Sequence, residues 1–268
     1  MVTGCPQSRD REKGREGCSA GAVPPDNLLE EYGMLNLDPV GLTEAHPKLT
    51  LWTKRLRAAL IGKNYFFNGQ KKRARVFRRV DCNIPFENYV ETGTFLGMTT
   101  DFLARTAKAH DAHVYSCEID SRYHAIANRT VGDLPNVSLQ QANSVDFLRE
   151  LSPKLVTARN FVYLDAHWND YLPLRDELSI LKAWQNSVVL IDDFKVPSDP
   201  RFGWDRYDED REICLEHIAG TYGDSTVYFP NYPAPDERAA PRGYCVMAMS
   251  TPLQDILDQI SLLRRHDH

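Results

Sequence analysis

Residues able to hold a cation or move a proton stand at the ends of two short apolar runs. In "FVYLDAHWNDYLP" (161–173) a strand-like run opens onto Asp165, His167 and Trp168. In "SVVLIDDFK" (187–195) another run opens onto Asp192 and Asp193, with Lys195 just behind. Carboxylates offer oxygen ligands to hard cations such as Mg²⁺. An imidazole that titrates near neutrality can serve as a general base. A strand that merely ends in a polar loop would carry the same residue types, so the reading depends on the elements that place them.

A further constellation precedes these. In "YVETGTFLGMTT" (89–100) a strand ends at Glu91 and leads through Thr92, Gly93, Thr94 and Gly97 into a helix. Glycines there let a backbone approach a ligand closely, and the helix start offers unpaired N–H groups. Dinucleotide-binding turns carry a third glycine for a pyrophosphate. Here that glycine is missing and an acid precedes the turn, which disfavours a diphosphate and suits a ligand bearing an ammonium group. Roughly 20 residues on, the usual interval for a ribose-binding acid, "CEID" supplies Glu118 and Ile119. "ANSVDF" then places Asn143 and Ser144 after a third strand.

The elements that must position these residues alternate. From residue 86, strand patterns over 86–91, 113–119, 136–142, 160–165 and 187–192 are separated by helical patterns over 97–110, 121–131, 144–151 and from Pro173 through Trp184. Such alternation implies a parallel sheet with right-handed crossovers. A helix over 211–220, an antiparallel strand pair over 226–230 and 242–250 closing the sheet edge, and a last helix over 253–265 complete the expectation. Ahead of the sheet, residues 1–26 read as a disordered tail and residues 27–84 as an N-terminal helical extension.

The bulk properties are those of a globular protein of 268 residues, 42% hydrophobic, with net charge −5. That charge gives no global attraction to nucleic acid or anionic membrane, and no apolar run approaches a membrane span. The six cysteines form no CxxC pair, so a structural zinc site is not expected. Cys117 and Cys245 read as buried hydrophobes, and a reduced cytoplasmic protein is the plain reading.

Taken together, "ETGTFLG", "CEID", "QANSVDF" and "FVYLD", in this order and at these intervals, resemble the class I S-adenosylmethionine-dependent methyltransferases over roughly residues 85–250, and the expected methyltransferase domain is 85–268. The resemblance implies an α/β, Rossmann-like fold. Its sheet would have seven strands, mostly parallel with strand seven reversed, and helices on both faces. It implies that S-adenosylmethionine lies with its methionine end by Glu91, Thr92, Gly93, Thr94 and Gly97. The ribose would lie on Glu118 beside Ile119, and the adenine near Asn143 and Ser144, with Asp165, His167 and Trp168 completing the cofactor site.

"LDAHWNDYLP" followed by "VVLIDDFKVP" further resembles the metal-dependent small-molecule O-methyltransferases, including the catechol type. By position this implies Asp165, Asp192 and Asp193 as ligands of a divalent cation, with Mg²⁺ the expected ion. The catechol enzymes carry a lysine base where this chain has Asn169. His167 becomes the candidate base, Lys195 a second, and Asp165 shares the catalytic position. Phe202, Trp204 and Tyr207 could wall an acceptor pocket or simply anchor a loop.

The expected partner is therefore a hydroxylated small-molecule acceptor (aromatic, sugar or natural product), with a homodimer left open. Two other readings stand beside it. The basic run "KKRARVFRR" (71–79) could bring a nucleic acid or protein substrate, although a solvated helix face is the plainer account. The chain could also bind the cofactor as an interaction protein without catalysis.

Overall fold

The computed structural model describes residues 65–167, 170–208, 211–237 and 240–266. The expected tail over 1–26, the extension up to residue 64, and Trp168 and Asn169 lie outside the described residues. Cys5 and Cys18 lie there too.

The sheet strands are β1 (Asn88–Thr92), β2 (His113–Glu118), β3 (Val137–Gln141), β4 (Asn160–Leu164), β5 (Ser187–Asp192), β6 (Thr226–Pro230), β7 (Tyr244–Ala248) and β8 (Leu263–Arg265). The helices are α1 (Lys71–Asn83), α2 (Met98–Ala107), α3 (Ser121–Val131), α4 (Ser144–Leu155), α5 (Leu174–Leu181), α6 (Leu215–Ile218) and α7 (Thr251–Leu257). The spatial order is β3-β2-β1-β4-β5-β7-β6-β8. Strands β1 to β5 pair in parallel. β7 runs antiparallel to β5, β6 antiparallel to β7, and β8 antiparallel to β6.

Helices cover both faces, so every residue of β1, β4 and β5 is buried, which is why these runs read as continuously apolar rather than alternating. Successive residues nevertheless feed opposite faces. Tyr89, Phe161, Tyr163, Val188 and Leu190 join one core cluster, and Val90, Val162, Leu164, Val189 and Ile191 the other.

α1 belongs to the first of these clusters. Val76, Phe77 and Val80 are almost fully buried, and Phe66 just ahead of the helix stacks on Phe102 of α2 at 3.8 Å between ring centres. The spacing Arg73, Val76, Phe77, Val80 is the i, i+3, i+4, i+7 stripe that turns one helix face to a core. α1 thus packs on this face of the sheet.

The mostly parallel α/β sheet is as expected, with two differences at its far edge. The sheet has an eighth strand because the 253–265 segment is helical only to Leu257 before β8 forms. That strand has β6 as its partner, so β6 and β7 do not form the edge alone. Residues 211–220 keep only the short helix α6. Among the described residues no helix is long and apolar enough to cross a membrane. Cys117 and Cys245 are buried.

Candidate active site

The strand order reverses between β1 and β4, the place where open α/β sheets form a crevice at their carboxyl ends. Gly93 follows β1 there and Asp165 follows β4. Gly93 has φ +85°, and a Cβ built on it would lie 2.2 Å from the carbonyl oxygen of Asp165. Both the backbone conformation and the close approach therefore require glycine. Gly97, with φ +78°, caps the start of α2.

Glu91 is 1% exposed. Thr100 and Ser116 donate hydrogen bonds to its Oε2 at 2.5 and 2.6 Å, and Ser116 is also bonded to Thr94 at 2.6 Å. Among the described residues Oε1 has no hydrogen bond. Burial pushes the carboxyl up, the Ser116 and Thr100 hydroxyls pull it down, and the Glu118 charge pushes it up again, leaving it at about 7.

Glu118 closes the loop from the other side. Its Oε2 accepts from Phe95 N at 2.8 Å and its Oε1 from Asp120 N at 2.9 Å. Burial raises its pKa more than these bonds lower it. Next to it Ile119 is 54% exposed, a large apolar side chain standing out from the rim of the crevice. Asn143 caps a helix, its Oδ1 accepting from Asp146 N at 2.9 Å at the start of α4. Ser144 and Thr92 are buried and face the buried carboxyl of Glu177 on α5.

The second half of the crevice is acidic. His167 Nε2 lies 3.7 Å from Asp165 Oδ1 and 3.7 Å from Asp193 Oδ2. These three donors sit within 4.8 Å of one another. The His167 side chain is only 4% exposed, and its Nε2 has no hydrogen-bond partner among the described residues. Burial alone would lower the imidazole, but the Asp193 and Asp165 carboxylates, with Asp205 beyond them, hold it at about 9. Burial, with the charges of Asp192 and Asp193, pushes Asp165 well above the usual carboxylate range. Asp193 ends below that range, because His167 and Arg242 outweigh the effect of its burial.

The other oxygen of each carboxylate is fixed from behind. Tyr163 Oη bridges Asp165 Oδ2, at 3.1 Å, and Asp192 Oδ2. Arg242 Nε donates to Asp193 Oδ1 at 2.5 Å, and its Nη2 pairs with Asp205. Asp193 has φ +51°, a left-handed turn that starts the loop carrying Asp205, whose N–H returns to Asp193 O at 3.0 Å.

Asp192 does not join the trio. It is fully buried and forms an ion pair with the equally buried Arg73 of α1. Asn68 Nδ2 donates to its Oδ2 at 3.1 Å, and Asp193 N to its Oδ1 at 2.7 Å. His167 takes the place expected of Asp192. Lys195 is committed to Glu212 at 2.5 Å and lies over the Trp204 ring. Trp204 Nε1 bonds to the same glutamate at 2.7 Å. Phe202 is core, 1% exposed, so it anchors the loop. The Tyr207 hydroxyl is buried without a hydrogen-bond partner among the described residues.

Sequence reasoning missed Arg73, Tyr163, Asp205 and Arg242. Arg73 did have a signal: it stands on the apolar stripe of α1, where a charge requires a buried partner. Arg73 is taken up by Asp192 and Lys72 pairs with Asp236 at 3.0 Å, while Arg75, Arg78 and Arg79 are exposed on the outer face of α1.

No family model matches this chain, and no curated protein does. Solved structures do. PaMTH1, a methyltransferase of Podospora anserina bound to S-adenosylhomocysteine, matches at 14% identity over 46% of this chain and 52% of its own, with TM-score 0.38. The O-methyltransferase TomG of Streptomyces achromogenes, in complex with S-adenosylmethionine, matches at 16% over 67% of this chain and 79% of its own, TM-score 0.45. An O-methyltransferase of Bacillus cereus in complex with S-adenosylhomocysteine matches at 16% over 66% and 78%, TM-score 0.44. The match thus spans about half of the Podospora chain. The fold assignment stands on the chain's own strand order, 3-2-1-4-5 followed by a reversed β7. That is the Rossmann-like sheet the sequence motifs led us to expect.

Proposed function

We propose that the chain is an S-adenosylmethionine-dependent methyltransferase that methylates an oxygen of a hydroxylated small molecule with the help of a divalent cation. The observation that carries this reading is the meeting, at one switch point, of the Glu91–Gly93 turn with the Asp165–His167–Asp193 trio. The turn suits a cationic donor: Glu91 Oε1 is the acceptor for an ammonium group, and Gly93 admits the ligand's close approach. Glu118 is the acid for the ribose hydroxyls, and Ile119 offers apolar surface to the adenine. The phosphate-free donor agrees with two acids at the crevice where a diphosphate would be repelled.

The cation belongs to Asp165, His167 and Asp193. Nε2 of His167, buried 3.7 Å from an oxygen of each carboxylate and without a hydrogen bond among the described residues, fits a ligand role. When bound, a divalent cation there would lower the pKa of an acceptor hydroxyl.

The chain's own residues account for the rest. Methyl transfer requires a nucleophile, a methyl group and a sulfur in line, and positioning of this kind contributes about 7–11 kcal/mol. A general base adds roughly 10²–10⁴-fold. In the ion-free site His167 is protonated at neutral pH, so it holds the carboxylates together and does not accept a proton. Lys195, held protonated by Glu212, is not a base either. Asp165 is counted as a ligand of the cation, so the chain supplies no separate general base, and catalysis rests on positioning and on the cation's effect on the hydroxyl.

Incubation of the purified chain with methyl-labelled S-adenosylmethionine and a panel of catechols, phenols and sugars tests the reading. Label transfer that a chelator suppresses supports it. No transfer to any acceptor, with tight donor binding, would favour the non-catalytic reading.

A further inference from the structure

The trio differs in one chemical respect from the all-oxygen set that the sequence led us to expect. We infer that this site selects a first-row transition-metal dication, of the Mn²⁺, Fe²⁺, Co²⁺ or Zn²⁺ class, over Mg²⁺ and Ca²⁺. The inference rests on the metal reading above and adds the identity of the ion.

Donor chemistry is the first reason. Asp165, His167 and Asp193 offer two carboxylate oxygens and one imidazole nitrogen. Mg²⁺ and Ca²⁺ are bound through oxygen, whereas imidazole suits transition metals. Asp192 would have supplied a third oxygen, but its carboxylate is taken up by Arg73, Tyr163 and Asn68.

Geometry is the second. Donors that lie about 2.0–2.2 Å from an ion are separated from one another by about 2.8–3.6 Å in octahedral or tetrahedral arrangements. The His167 nitrogen is 3.7 Å from each carboxylate oxygen and the three donors lie within 4.8 Å of one another, so they converge on one point and would draw in around an ion. Ca²⁺, with six to eight oxygen ligands at about 2.3–2.6 Å, needs a wider cage than three converging side chains provide; Mg²⁺ has the size of the transition ions and is disfavoured by the donor chemistry.

The supports behind the donors are the third. Arg242 holds Asp193 Oδ1, and the Tyr163 hydroxyl lies 3.1 Å from Asp165 Oδ2 while its proton is shared with Asp192. Asp193 Oδ2 is thereby left as a single-oxygen donor, and Asp165 presents Oδ1 to His167. Outer groups of this kind orient metal ligands and fix how many oxygens each carboxylate presents.

The test is a set of calorimetric titrations of the metal-stripped full-length chain with Mn²⁺, Co²⁺, Zn²⁺, Mg²⁺ and Ca²⁺. These are repeated on His167→Ala and His167→Asn. Alongside, ring-nitrogen spectra of ¹⁵N-histidine-labelled wild type are recorded with Zn²⁺, a readout that does not depend on a variant folding. The expected result is tighter binding of Co²⁺ and Zn²⁺ than of Mg²⁺. Their affinity falls about tenfold or more in both variants while Mg²⁺ affinity changes little, and the His167 Nε2 signal shifts on Zn²⁺ saturation. Equal affinity for Mg²⁺ and Co²⁺, or an unmoved His167 signal under saturating Zn²⁺, would overturn the inference. Absence of any metal binding would overturn it too. S-adenosylmethionine titrated into the same samples then tells whether the methyltransferase reading survives.

Discussion

Gly93 is pressed against Asp165: a Cβ on the glycine would fall 2.2 Å from the Asp165 carbonyl oxygen, and the glycine's φ is +85°. This one contact ties the donor-binding turn after β1 to the acidic end of β4. Gly93→Ala is therefore expected to destabilise the fold by about 1–3 kcal/mol from backbone strain alone, with the clash adding to it. Thermal unfolding measures the first effect. Calorimetry at a temperature where the variant is folded is expected to show loss of at least about tenfold in donor affinity, ~1.4 kcal/mol. Wild-type stability and affinity in this variant would remove the turn from the site.

Glu91 gives a pH dependence with a definite sign. Its carboxyl is held at about 7 by burial against the opposing hydroxyl hydrogen bonds. Below that pH it is protonated and cannot accept from an ammonium group. Affinity for S-adenosylmethionine is expected to rise as pH increases through about 7 and to level off above it. Titrations between about pH 6 and pH 8, on the order of one unit either side, measure the slope. Glu91→Gln should bind weakly with the slope removed; an unchanged slope would assign the titration to another group.

The buried Arg73–Asp192 pair predicts a stability effect separable from metal binding. Removing one partner of a buried pair costs about 3–5 kcal/mol, because the other charge is left uncompensated. Arg73→Met and Asp192→Asn are each expected to lower the unfolding free energy by about that amount in denaturant titrations. The double variant is expected to lose less than the sum. If Asp192→Asn instead left stability intact and abolished cation binding, Asp192 would be a ligand after all.

Much of this could be read in the sequence. Continuously apolar runs such as "FVYL" and "SVVLI" identify strands buried on both faces, and Glu91–Gly93 and Asp165 sit at their tips as expected. Local pattern cannot tell which of two adjacent acids turns inward. Asp192 ends β5 within its ladder and points to α1, while Asp193, one residue on and in a left-handed conformation, turns to His167. That outcome was decided by Arg73 and Arg242, which lie 119 and 49 residues away from their partners. β8 was missed because "LLRR" continues a helical apolar pattern, and only the unpaired edge of β6 selects the extended form.

Asp165→Ala and Asp193→Ala separate the two halves of the crevice. Each removes one oxygen donor without touching Glu91 or Glu118. Donor binding is expected to stay within about threefold of wild type, well below the ~1.4 kcal/mol of a tenfold change. Cation affinity and methyl transfer should fall by at least about tenfold. Full transfer activity of either variant in excess chelator would reject the cation's role.

The central claim is a sulfonium donor bound at the β1–β4 switch point beside the acidic trio. Calorimetric titration of S-adenosylmethionine into the full-length chain, wild type and Glu91→Ala side by side, tests it most directly. Saturable one-to-one binding that the variant loses is the predicted result. No heat and no thermal shift with the wild type at millimolar donor would contradict it.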